Sequence, residues 1–128
     1  MVSQATWFAE FIRSMQAPVL LGFDVVELGD GQSRIELPVR RELTVDGERV
    51  QGGLVTVLAD YAASAAAGST LEDGWLVATV GCETHQIAPA AGQRLVALGQ
   101  VIKRGRRMLA KADVYADAPD GADRKSVV

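Results

Sequence analysis

Apolar residues first recur at helical spacing. Trp7, Phe8, Phe11, Ile12 and Met15 share one face of residues 1–18, and Glu10 and Arg13 interrupt it. Ser3 is placed to cap this helix and Pro18 to stop it, so residues 19–28 read as a strand leading into a turn at Gly29, Asp30 and Gly31. On the return arm Ile35, Leu37 and Val39 alternate with Arg34, Glu36 and Pro38, which predicts a strand with one buried face, its pairing limited by Pro38. Residues 52–67 break the alternation. Leu54, Val55, Val57, Leu58, Ala59, Ala62, Ala63 and Ala65 to Ala67 leave almost no polar side, so a helix buried nearly all round is expected, bracketed by Gly52, Gly53 and Gly68. It is too short for a bilayer, which needs about 20 apolar residues.

Strand patterns return over residues 75–87 and 94–102, separated by a turn at 89–92. A basic turn follows. Then Met108, Ala110, Ala112, Val114 and Ala116 alternate with Leu109, Lys111, Asp113, Tyr115 and Asp117, and Asp120 and Gly121 turn toward a short end at 124–128. The order is helix, hairpin, long apolar helix, then three or four strands, without repeat or linker. It fits one α+β domain spanning residues 1–128, in which a curved antiparallel sheet wraps the long helix. Such a sheet leaves edges and an open side that a second subunit would cover.

Composition narrows the function. At 128 residues, 48% hydrophobic and 23% charged, the chain has material for one core, and a net charge of -3 does not suit a surface built to hold nucleic acid. The first helix lacks the basic start of a signal peptide. The single cysteine, Cys82, fits a reducing cytosol, and with a single histidine it offers no metal-ligand spacing, so no cofactor is expected.

Thr56, Asp60 and Ser64 form a polar stripe at i, i+4 and i+8 on the apolar helix. A carboxylate there costs several kcal/mol unless it is bonded or used, which leaves a structural and a catalytic reading of Asp60 open. At the helix start, Gln51, Gly52 and Gly53 offer free N–H groups and the positive end of the helix dipole to an oxyanion. The Gly-Gly pair also suits close packing of the helix start against a strand.

Val50-Gln51-Gly52-Gly53 followed by Leu58-Ala59-Asp60 resembles the PaaI-like (phenylacetate-pathway) branch of hotdog thioesterases, whose signature is His-Gly-Gly with an acid nine positions after the His. Gln51 and Asp60 keep that spacing. The likeness continues through Ala78-Thr79-Val80, Ala88-Pro89-Ala90 with Gly92, and Arg104-Gly105-Arg106. It implies a cytoplasmic homo-oligomer, a dimer or homotetramer, that hydrolyses a medium-chain or aromatic acyl-CoA. Asp60 would be the base or nucleophile and Gly52 N–H the oxyanion donor, with Gln51 in the His position and Gly53 beside the substrate. Ser64 and Thr79 would orient the carboxylate or water, and the helix start and acid at one site would come from different subunits. Where the family often has Asn or Gln, six residues before its His, this chain has Val45, with Asp46 beside it.

Lys103, Arg104, Arg106, Arg107 and Lys111 form a cluster without acids around Gly105, suited either to coenzyme A phosphates or to a solvated turn. His85 reads as a surface residue and Cys82 as a packed small side chain. Trp7, Phe8 and Trp75 read as core or acyl-pocket walls. A non-catalytic binder of acyl-CoA or a related small ligand is the second function these residues allow. A hydratase is third, since no His stands in such a motif.

Overall fold

The structure, a computed structural model, describes residues 2–117 and 124–126. α1 (Gln4–Ser14) starts where Ser3 accepts the Thr6 N–H through its hydroxyl, as the sequence suggested. It ends earlier than expected. Met15 is extended, and a second helix, α2 (Gln16–Leu21), begins directly after it. Pro18 falls in the first turn of α2, where its missing N–H costs no bond, so it does not act as a stop. Residues 19–21 are therefore helical, and Gly22, at φ 86°, ends the turn.

β1 (Asp24–Gly29) and β2 (Gln32–Pro38) form the expected hairpin. Asp30 and Gly31 both take positive φ, 53° and 75°, the two-residue turn that matches the twist of paired strands. After α3 (Gly52–Gly68) come β3 (Arg94–Lys103), β4 (Leu109–Asp117) and β5 (Arg124–Ser126), completing an antiparallel sheet in the order β1-β2-β3-β4-β5. The expected turn at Asp120 and Gly121 lies outside the described residues.

α3 lies on the sheet's inner face. Ile35 and Leu37 of β2, Leu95 and Ala97 of β3 and Val114 and Ala116 of β4 pack beneath Val55, Leu58, Ala62 and Ala65, all 2% exposed or less. Burying a side chain such as Leu58 or Ile35 stabilises by about 2 kcal/mol. Helix and sheet lie in close contact where Gly99 pairs with Ser33. A Cβ on Gly99 would run into the Ala62 carbonyl and Ser33 Oγ, and Ser33 donates a 2.6 Å hydrogen bond to that carbonyl. At the other end of α3 the buried Gln4 side chain donates to the carbonyls of Gly68 and Trp75 and accepts from Gly74 N–H, fastening α1 to the helix end.

Three further expectations are corrected. Residues 75–87 form no β-ladder within the chain, and Trp75, Val80 and Ile87 are 62%, 89% and 70% exposed. Their side-chain pattern suits a strand, but no neighbour in this chain supplies the backbone partners among the described residues. Nor is α3 buried all round. Gly53, Val57, Asp60 and Ser64 lie on a side that the sheet does not cover, so the helix is apolar beyond what this one chain buries. Cys82, expected to be packed, is exposed on the same unpaired segment. Among the described residues no helix is long and apolar enough to cross a membrane.

Candidate active site on the central helix

Asp60 projects from the uncovered side of α3, half-buried, where an extended segment returns alongside the helix. Thr79 Oγ1 donates to Asp60 Oδ1 at 2.9 Å, and Ser64 Oγ lies 3.4 Å from the same oxygen and 3.2 Å from Thr79 Oγ1. Thr79 gives its one hydroxyl proton to Asp60, and the single Ser64 proton lies between Asp60 Oδ1 and Thr79 Oγ1, shared by the two acceptors. Both hydroxyls thus address Oδ1. Oδ2 has no hydrogen-bond partner among the described residues and is the oxygen left to act on a water or an acyl carbon.

Asp60, Ser64 and Thr79, expected to work together, are together. Thr56, the first member of the stripe, is committed elsewhere: its hydroxyl donates back to the Gly52 carbonyl at 3.3 Å. Tyr61 turns toward the first helices, edge-on to Phe23 and 3.8 Å from Met15 Sδ.

Gln51 is the N-cap residue of α3 and uses only its backbone there, accepting from Leu54 and Val55 N–H while its own N–H donates to the Leu43 carbonyl. The N–H groups of Gly52 and Gly53, the first two helical positions, have no acceptor among the described residues. They form an open pair of donors at the positive end of a 17-residue helix. Sequence reasoning missed Gln86, whose Nε2 donates to the Gly52 carbonyl at 2.9 Å. A contact 34 residues distant in sequence leaves no local signal.

The preceding loop offers no substitute for the family's amide. Val45 is 71% exposed. Asp46 is fully engaged: Oδ1 accepts from the Glu48 and Arg49 N–H groups and Oδ2 pairs with the Arg49 guanidinium. The Arg49 N–H, the Arg49 guanidinium and the Glu48 N–H together lower its carboxyl to about 2. It therefore stays ionised and holds the turn at any ordinary pH.

The basic turn lies elsewhere. Lys103, Arg104, Gly105 and Arg106 are exposed beyond the C-terminal end of α3, where Thr70 meets Met108. Gly105 makes the turn at φ 150°, and Lys103, Arg104 and Arg106 make no ion pair among the described residues, whereas Lys111 lies 3.4 Å from Asp113. His85 is exposed and 3.6 Å from Glu83, apart from the Asp60 cluster.

Along the helix, at 1.5 Å per residue, about 12 Å separates Gly52 from Asp60, and a similar distance separates Asp60 from Gly68. One chain thus presents three separate stations: open N–H donors, a half-bonded carboxylate and a basic turn.

No family model matches the chain, and no curated protein matches it. Solved structures do match. A thioesterase family protein from Silicibacter pomeroyi is 28% identical, with a TM-score of 0.91, over 98% of this chain and 91% of that one. The PaaI protein of the Escherichia coli phenylacetic acid degradation operon is 20% identical, with a TM-score of 0.76, over 99% and 91%. A Haemophilus influenzae thioesterase is 19% identical, with a TM-score of 0.77, over 99% and 86%. The α3-on-sheet architecture is the hotdog fold, shared with PaaI, and in sequence and structure the chain is similar to the Silicibacter thioesterase family protein.

Proposed function

We propose that the protein is an acyl-CoA thioesterase that converts a medium-chain or aromatic acyl-CoA to free acid and CoA at a site shared by two subunits. The observation that carries this reading is the Asp60 carboxylate, fixed through Oδ1 and open at Oδ2, on the same helix as two unbonded glycine N–H groups. A thioester needs little more: a donor for the carbonyl oxygen and a carboxylate to take a proton from water or to attack.

The spacing supports a second subunit. A reacting carbonyl has to lie about 3 Å from both donor and carboxylate, so about 12 Å of helix between Gly52 and Asp60 supports a site to which two chains contribute. Two copies of α3 packed antiparallel by their uncovered sides, with the dyad near Thr56, would bring Gly52 of one chain to Asp60 of the other. The same pairing would cover Val57 and give residues 75–87 a neighbour. A dimer, or a homotetramer built from two dimers, is the working unit of this reading. The cytosol, where Cys82 stays reduced, is its compartment.

In the reaction, the Gly52 N–H polarises the thioester carbonyl and holds the oxyanion. Asp60 Oδ2 takes a proton from the attacking water, or itself attacks to give a mixed anhydride that water then cleaves. The tetrahedral adduct collapses with loss of the C–S bond, and the CoA thiolate leaves and is protonated. Gln51, in the His position, has a free side-chain amide beside the acyl group, and Gly53 adds a second donor.

Lys103, Arg104, Gly105 and Arg106 would receive the CoA phosphates. Replacing Arg104 and Arg106 together with Ala is expected to raise KM for CoA esters about tenfold and leave KM for a truncated thioester without the nucleotide unchanged. Steady-state kinetics on both substrates tests this, and equal effects would return the turn to a merely solvated role. Thiol release over an acyl-CoA panel tests the activity itself. The exposed Val45, which offers no amide, favours one second reading, a non-catalytic acyl-CoA binder, which would bind CoA esters without releasing thiol.

A further inference from the structure

Gly52 has no side chain, and the space is taken. The carboxamide of Gln86 occupies it, with Nε2 3.1 Å and Oε1 3.3 Å from where a Cβ on Gly52 would stand. Its Nε2 donates to the Gly52 carbonyl at 2.9 Å, which also accepts the Thr56 hydroxyl at 3.3 Å. The glycine at position 52 thus admits a side chain from the extended segment into the first turn of the helix.

The two peptide planes at this helix start are anchored differently. The Gln51 carbonyl, whose plane carries the Gly52 N–H, is fixed by bonds from Leu54 and Val55 N–H inside the chain's own turn. The Gly52 carbonyl, whose plane carries the Gly53 N–H, is the first acceptor within α3 itself, but it lies between two glycines, the residues with the most backbone freedom to lose. No side chain caps this helix at Gln51. Gln86 supplies the hold from outside.

On the thioesterase reading above, we propose that Gln86 is a positioning residue of the oxyanion half of the site. By anchoring the Gly52 carbonyl it sets the Gly53 N–H parallel to that of Gly52, so that two donors meet the developing oxyanion. The carboxamide comes from the segment that follows α3, whereas the loop before it, with Val45 exposed and Asp46 committed to Arg49 and Glu48, has none to offer. Gln86 acts through the backbone and does not itself touch the acyl group.

Gln86→Met keeps the length and volume of the side chain and removes the donor. In the full-length oligomer, kcat for acyl-CoA hydrolysis should fall roughly tenfold, the factor that one net hydrogen bond is worth, with KM within about twofold and the melting temperature unchanged. The amide order parameter of Gly53 should fall from the rigid value of about 0.85 toward 0.6. An unchanged kcat overturns the proposal, and so does a lower kcat with Gly53 as rigid as in the wild type. A loss confined to KM also overturns it. If the wild type hydrolyses no acyl-CoA, the thioesterase reading fails separately. The relaxation measurement then decides Gln86 alone: a loosened Gly53 keeps its anchoring role, and an unchanged one removes it.

Discussion

Asp60→Asn is expected to lower kcat for acyl-CoA hydrolysis by about 1000-fold, within the range of general-base contributions, while the protein keeps its fold. Asparagine has nearly the shape of aspartate and keeps an oxygen at Oδ1 to accept the bonds from Thr79 and Ser64. It loses the charge and basicity of Oδ2, so water is no longer deprotonated and no mixed anhydride can form. Because Asp60 is only half-buried in the single chain, removing its charge should leave the melting temperature close to that of the wild type. A purely structural carboxylate would show the reverse: little change in kcat and a lower melting temperature. Thiol release and thermal denaturation on the same preparations separate the two.

Gly99→Val should produce the largest loss of stability. Even one Cβ at this position would meet the Ala62 carbonyl and Ser33 Oγ, and neither belongs to a flexible chain end that can swing aside. Ser33 is itself pinned to Ala62 at 2.6 Å, and the strands on both sides are in register with Gly99. The helix would have to lift off the sheet where Ala62 and Ala65 are fully buried. Overpacking of this kind costs about 3 kcal/mol, which for a domain of this size lowers the melting temperature by about 10 °C. Since α3 carries Gly52, Asp60 and Ser64, activity should fall together with stability. A variant that melts like the wild type would show that the close approach at Gly99 is not needed.

The hairpin and the central helix were legible because their signals are local. Asp30-Gly31 demands a tight turn, Ile35 and Leu37 alternate with charged neighbours, and a 17-residue apolar helix can only be a core element. Asp60 stood out for the same reason, as an acid with no local explanation. The break at Met15 was not legible, because a proline in a first turn and a proline after a last turn look alike in sequence. Residues 75–87 carry a strand pattern but have no strand partner among the described residues of their own chain, and a pattern records the preference of a segment, not the source of its neighbour. Gln86 was hidden more deeply, since its role depends on a glycine 34 positions away.

The most direct test of a shared site is subunit complementation between Asp60→Asn and Gly52→Pro. Proline suits the first helical position and removes the N–H, its ring displaces the Gln86 carboxamide from the same donor half of the site, and Gln51 before it is already extended at φ -60° and ψ 136°. Each variant alone should be nearly inactive. In a mixed dimer, the wild-type Asp60 of one chain faces the wild-type Gly52 of the other at one of its two sites. An equimolar, randomly reassorted mixture should therefore recover about a quarter of wild-type activity. A mixture as inactive as its parents would contradict an active site built from two chains.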